Sequence, residues 1–300
     1  YDVWSSSPRA DKSGGRLWLA KSPESSVVGA WNWELVSDKP LDWWVPRLEA
    51  IKKAYPTKVL VASIMAGSGT DKELANWQVL VEGVQAAGAD AIELNFSCPH
   101  MDRVDMGSNV GMDPVLCSVS TQAVKEVARV PVWVKLTPAT ANIVEEAEAT
   151  FRGGADAISS SNTFPALPPL DPTTLDFEIN VDGFVSSGGL GGPAIFPQSL
   201  AKMADMTQAF PDREFSGIGG ISSFDQALAY FLLGCGTVQV ATAAMLDHAI
   251  GPNVVRGLID GMTSFLDQNA DRGWTSLEDF RGLRRGSIVP HSEIGRPDSA

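Results

Sequence analysis

One recurring unit constrains this chain more than anything else in it: a short apolar run that ends in polar or glycine residues, followed by a helical pattern. The runs are VLVASIM (59–65), AIELNFS (91–97), VWVKLTP (132–138), AISSSNT (157–163), FSGIGGI (215–221) and TVQVATAAM (237–245). Each has strand length and starts near-continuously apolar, as a strand covered on both faces does. Between them, Leu74, Trp77, Val81 and Val84 recur at the spacing of one helix face. Trp44, Leu48, Ile51 and Tyr55 do the same one element earlier, so both stripes are expected to pack on a sheet. Alternating strands and helices predict a parallel sheet. The pentapeptide GADAI occurs at 88–92 and again at 154–158, each time leading from a helix end into a strand, which marks an internal repeat.

Polar and glycine residues gather at the carboxyl ends of the runs: Asn95, Ser97 and Cys98; Lys135 and Thr137; Asn162 and Thr163; Gly219 and Gly220; Thr242. A (β/α)8 TIM barrel builds its active site there, so the expected fold is one barrel domain over residues 1–300. The stretch 99–113 is expected to be an active-site loop, and 160–195, rich in Pro, Gly and Asp, a long excursion. A barrel needs two more strands than these runs supply, and the shortfall lies before residue 59. YDVWSSSPRADKSGG is polar and turn-rich and RLWLA is too short to span the gap. The first two β/α units are therefore expected to be missing, with the natural chain extending about 60 residues upstream at roughly 30 per unit.

A formal charge of −13 repels nucleic-acid backbones and anionic lipid, leaving a small molecule as the expected ligand, with no nucleic acid and no membrane as partners. Three cysteines without a CxxC or a Cys/His cluster give neither a disulfide framework nor a metal site, and imply a reducing compartment, the cytoplasm by default.

The motifs ELNFSCPH, VKLTP, SNT, SGGLGGPAI, SGIGGI and VQVATAAM, in that order and spacing, resemble the FMN domain of dihydropyrimidine dehydrogenases, of the bacterial catalytic-subunit type, within the dihydroorotate dehydrogenase superfamily. The resemblance runs through GSIVP near residue 287. It implies FMN-dependent reduction of a C=C bond in a pyrimidine-like ring, with hydride from flavin N5 and a proton from Cys98. An unperturbed thiol, with a pKa of about 8.5, holds its proton at neutral pH and can still release it. Cys117 and Cys235 keep a structural reading.

The resemblance further implies that Lys135 lies against the flavin's pyrimidine edge and that Gly192, Gly219, Gly220, Ile221, Ala241 and Thr242 hold the cofactor, the glycines at its phosphate end. It implies Asn32, Glu34, Asn95, Asn162 and Thr163 around the substrate, where carboxamides can match alternating N–H and C=O groups. NAD(P)H is the implied electron source, through a separate flavin and iron–sulfur subunit, and a homo-oligomer is expected. The relatives' early barrel strands have no counterpart here, nor do the cysteine-rich motifs that follow GSIVP in them. Ala139, Phe164 and Pro165 stand where relatives carry other residues. The alternatives are dihydroorotate-type oxidation and a flavin-free scaffold subunit of the same descent.

Overall fold

The computed structural model describes residues 18–21, 27–33, 36–99, 101, 103–246, 251–290 and 293. Its centre is a curled sheet of six parallel strands: β3 (Val61–Ile64), β4 (Ala91–Phe96), β5 (Val132–Leu136), β6 (Ala157–Ser160), β9 (Glu214–Ile218) and β10 (Thr237–Gln239), adjacent in that order. Each strand falls within a predicted run, except that β9 begins one residue early. The last run is a strand only to Gln239; from Thr242 it winds into a short helix, so the polar end of TVQVATAAM is loop and helix start.

The helices that follow the strands cover the outer face. Trp77, Val81 and Val84 of α2 (Asp71–Ala86), Cys117 and Val124 of α4 (Pro114–Lys125), and Ile143, Ala147 and Phe151 of α5 (Ile143–Arg152) are all buried. So are Met203 and Met206 of α6 (Phe196–Ala209) and Tyr230 of α7 (Phe224–Leu233). They meet Ile92, Leu94, Phe96, Val132, Val134, Leu136, Ile158 and Phe215 of the sheet in one core. Full burial of side chains this large favours the fold by about 1.5–3 kcal/mol each. The inner face is different. Glu93, Asn95, Lys135, Ser159, Ser216 and Gln239 occupy the alternate strand positions, so the concave wall is polar.

The stripe on α1 (Leu41–Ala54) departs from expectation. Leu48 packs on the core, but Trp44 is 38%, Ile51 46% and Tyr55 61% exposed. The helix packs beside α2, and β3 is the edge strand of the sheet.

The GADAI repeat has a physical basis. Asp90 accepts Lys52 Nζ at 2.7 Å and the backbone N–H of Leu60 at 2.8 Å; Asp156 accepts Lys125 Nζ at 2.7 Å and the N–H of Val132 at 2.7 Å. Each aspartate thus ties the last turn of one helix to the start of the preceding strand. The lysine and the N–H hold the Asp90 carboxyl below its ordinary value.

The excursion is a second structure rather than a loop. β1 (Trp18–Lys21), β2 (Val27–Asn32), β8 (Gly188–Gly191) and β7 (Phe164–Ala166) form an antiparallel sheet in that order. Trp18–Lys21 and Val27–Asn32 therefore contribute strands, but not to the barrel.

Candidate functional site

A cleft opens at the carboxyl ends of β5, β6, β9 and β10. Every residue expected to hold the cofactor lines it: Lys135, Gly192, Gly219, Gly220, Ile221, Ala241 and Thr242, with Asn162 and Thr163 beside them. They arrive from separate strand ends and from the antiparallel sheet, so the fold alone brings them together. Lys135 is the only charged residue among the described ones that line the cleft, and its side chain has no hydrogen bond or ion pair among the described residues. In a chain of net charge −13, the one charge on the described lining of this cleft is thus a cation.

One end of the cleft is walled by glycine. Gly219 and Gly220 have φ of +125° and +75°, a region that side chains rarely adopt. A Cβ on Gly220 would lie 2.5 Å from Phe196 Cβ, and one on Gly219 would collide with Ser199. Tyr230 Oη donates to the Gly219 carbonyl at 2.9 Å, bracing this turn from α7. Among the described residues the backbone N–H groups of Gly220 and Ile221 find no acceptor. Exposed donors at a glycine turn make a seat for an anion such as a phosphate. With the lone ammonium of Lys135 at the same cleft, the residues fit a phosphate-bearing cofactor such as FMN.

The other predicted residues adjoin this cleft without lining it. Asn95 sits beside Lys135 on the neighbouring strand, and its Oδ1 accepts from Ser97 Oγ at 2.8 Å. Asn162 Nδ2 donates to the same Ser97 Oγ at 3.0 Å, so Ser97 couples the two asparagines. Asn32 Nδ2 donates to the Gly189 carbonyl at 3.3 Å, and Gly189 packs on Thr163. Glu34 lies outside the described residues.

Cys98 is 5% exposed and lies against the segment around Gly107 and Ser108. Its carbonyl accepts the N–H of Ser108 at 2.9 Å, and Gly107, at φ +57°, lies against it. Cys117 is sealed in the core, its Sγ donating to the Val110 carbonyl at 3.2 Å, and burial pushes its thiol pKa up to about 12. Burial raises Cys235 as well.

Beneath the cleft lie residues that sequence reasoning passed over. The Glu93 carboxylate is buried and accepts from Ser159 Oγ at 2.7 Å and Gln239 Nε2 at 2.8 Å. Glu93, Ser159 and Gln239 come from the second, fourth and sixth strands in sheet order, the alternate-strand layering of a barrel interior. A glutamate inside the apolar run AIELNF was the available signal, because a buried charge must be partnered. Among the described residues no group of acidic, His or Cys side chains could hold a metal, and no helix is long and apolar enough to cross a membrane.

Comparison with known proteins agrees with this architecture. The dihydroorotate dehydrogenase family model matches residues 41–266. The chloroplastic dihydropyrimidine dehydrogenase (NADP(+)) of Arabidopsis thaliana is 34% identical over 91% of this chain and 63% of its own length. The NAD-dependent dihydropyrimidine dehydrogenase subunit PreA of Escherichia coli K12 is 36% identical over 91% of this chain and 64% of its own. The chain thus spans just under two thirds of these relatives. The catalytic subunit of dihydroorotate dehydrogenase B (NAD(+)) from Petrotoga mobilis is 34% identical over 75% of this chain and 68% of its own. In structure, the Eimeria tenella DHODH solved with ferulenol superposes with a TM-score of 0.67 at 20% identity, over 85% of this chain and 71% of that one, which shows the fold. A TIM-type α/β architecture with a polar, glycine-walled cleft, matched by the family model and by these relatives, makes the chain a member of the dihydroorotate dehydrogenase family.

Proposed function

We propose that this chain is the FMN-binding barrel of a reductase that saturates the C=C bond of a pyrimidine-like cyclic amide, with Cys98 as the proton donor. The observation that carries the reading is the cleft: Lys135, the glycine turn at 219–220 and the Ala241–Thr242 segment share one pocket whose only charge among the described residues is an ammonium. FMN, when bound, supplies the hydride to one face of the double bond. Lys135 opposes the negative charge that builds on the flavin's pyrimidine edge. The N–H groups of Gly220 and Ile221, with the Ala241–Thr242 segment, hold the phosphate. Asn32, Asn95, Asn162 and Thr163 grip the substrate ring, since carboxamides and hydroxyls offer both donors and acceptors. Cys98 Sγ holds the proton destined for the opposite face, at a position that is almost fully buried.

The relatives named as dihydropyrimidine dehydrogenases support the pyrimidine class, and the PreA relative's description as an NAD-dependent subunit supports electron delivery from NAD(P)H through a partner protein. The test is flavin content followed by turnover. The purified chain should be yellow or take up FMN, and the reduced flavin should be reoxidised by uracil or thymine. A colourless protein that FMN cannot reconstitute overturns the reading. Flavin reduction by dihydroorotate, with no response to uracil, would move the substrate to the orotate side.

A further inference from the structure

The polar layer under the cleft fixes the orientation of one amide. Glu93 Oε1 accepts from Gln239 Nε2 at 2.8 Å, across the hollow of the curled sheet. A carboxylate only accepts, and a carboxamide donates only from nitrogen, so the carboxylate dictates which way the Gln239 amide faces. The same nitrogen reaches Ser216 Oγ at 3.4 Å. Both amide hydrogens are therefore directed at the barrel floor. Gln239 Oε1 accepts no hydrogen bond among the described residues, and it is not one of the sealed unpartnered atoms, which are Glu146 Oε2, Thr150 Oγ1 and Ser160 Oγ. Gln239 also lines the cleft, in company with Lys135, Asn162 and Ala241.

We infer that Gln239, oriented by Glu93, is a specificity-determining residue that accepts a hydrogen bond from the imide N–H of a ring bound in the cleft. The inference rests on the proposed function, under which two such rings enter: the flavin's own pyrimidine ring and a uracil-like substrate. Both carry an N–H between two carbonyls. An acceptor locked in place beforehand favours that N–H over an alkylated nitrogen, because it cannot turn to offer a donor instead.

The test uses the full chain and two ligand pairs. FMN and N3-methyl-FMN are compared by quenching of flavin fluorescence, and uracil and 3-methyluracil by perturbation of the flavin spectrum in the FMN-loaded protein. The wild type should prefer the unmethylated ligand in at least one pair. Gln239→Met keeps the volume and removes the acceptor, so that preference should shrink about tenfold, with binding of the methylated ligand nearly unchanged. Loss in the FMN pair assigns the contact to the flavin; loss in the uracil pair assigns it to the substrate. Glu93→Gln, which lets the amide turn, should cause a smaller loss in the same pair and serves if Gln239→Met fails to fold. No preference in the wild type, or an undiminished preference in the variants, overturns the inference while FMN binding leaves the proposed function standing. Failure of the wild type to bind FMN removes both.

Discussion

Asn162 Nδ2 donates to Ser97 Oγ across 3.0 Å, and Ser97 Oγ in turn donates its own hydrogen bond to Asn95 Oδ1 at 2.8 Å. The chain runs one way, so one buried hydroxyl sets the orientation of two amides on different strand ends. Asn162 Oδ1 is occupied by the Thr163 N–H at 2.7 Å. Ser97→Ala should therefore weaken pyrimidine binding, seen as a rise in KM or Kd of about tenfold, with FMN affinity nearly unchanged. Loss of the two hydrogen bonds should also cost about 1 kcal/mol of stability, since Asn162 is half-buried at the cleft and water can reach it. Steady-state kinetics and flavin titration on one preparation check it, and equal losses in both would refute the division of roles.

The three cysteines should separate by experiment. Cys98→Ser should keep FMN bound and slow the reductive step by about a hundredfold or more, because serine is a far weaker acid. Cys117→Ser and Cys235→Ser should leave the chemical step alone and lower thermal stability, since each would put a hydroxyl where a buried thiol now packs. With their thiol pKa values raised, neither should react with an alkylating reagent at neutral pH in the folded protein. Single-turnover flavin reoxidation separates the cases, and unchanged chemistry in Cys98→Ser would remove the proton-donor role.

The loop after Cys98 is pinned by charge. Arg103 pairs with Glu73 at the start of α2 and with Asp105 at 2.6 Å, while the N–H of Gly69 donates to Asp105 at 3.1 Å. Chiefly the Arg103 guanidinium, and after it hydrogen bonding with Glu73 and with the Gly69 N–H, holds the Asp105 carboxyl well below the usual carboxylate range against the opposing effect of burial. Its folded pKa is depressed, so the clamp is at full strength above the unfolded value, about 3.9, and is lost as pH falls through the folded one. The loop should stay pinned through mildly acidic pH and loosen only in stronger acid. Arg103→Gln should loosen it at neutral pH, with little change in global stability because Arg103 is half exposed. Hydrogen exchange over 103–111 reads this directly, and rates equal to wild type at neutral pH would refute the clamp.

What the sequence made legible follows from how local each signal was. VWVKLTP declared its strand because it is a short run that starts near-continuously apolar, which is local information; the alternation of buried Val132, Val134 and Leu136 with half-buried Trp133 and Lys135 is added by the fold. The stripe of Trp44, Ile51 and Tyr55 misled, because periodicity identifies an apolar face but cannot say whether a neighbour covers it. GGLG looked like loop and is a strand: Gly188 and Gly189 leave room for Trp31 and Thr163, and its partner in β2 lies far away in sequence. Gln239 was hidden for the same reason. Only the curl of the sheet sets it opposite Glu93.

Lys135 and Gly220 border one cleft, yet their substitutions should fail differently. Lys135→Met removes the cleft's only charge among the described residues, so it should weaken reduced flavin more than oxidised flavin. The midpoint potential should then fall by about 30 mV for each tenfold difference between those two losses, while Lys135→Arg should hold it closer to wild type. Gly220→Ala acts through shape. At φ +75° its Cβ would meet Phe196 Cβ at 2.5 Å, so the turn must shift and its N–H groups leave their seat. Both oxidation states carry the same phosphate, so Gly220→Ala should weaken them equally and leave the potential unchanged. Potentiometric titration beside FMN binding distinguishes the two, and a potential shift in Gly220→Ala as large as in Lys135→Met would refute the assignment of charge to one residue and phosphate seating to the other.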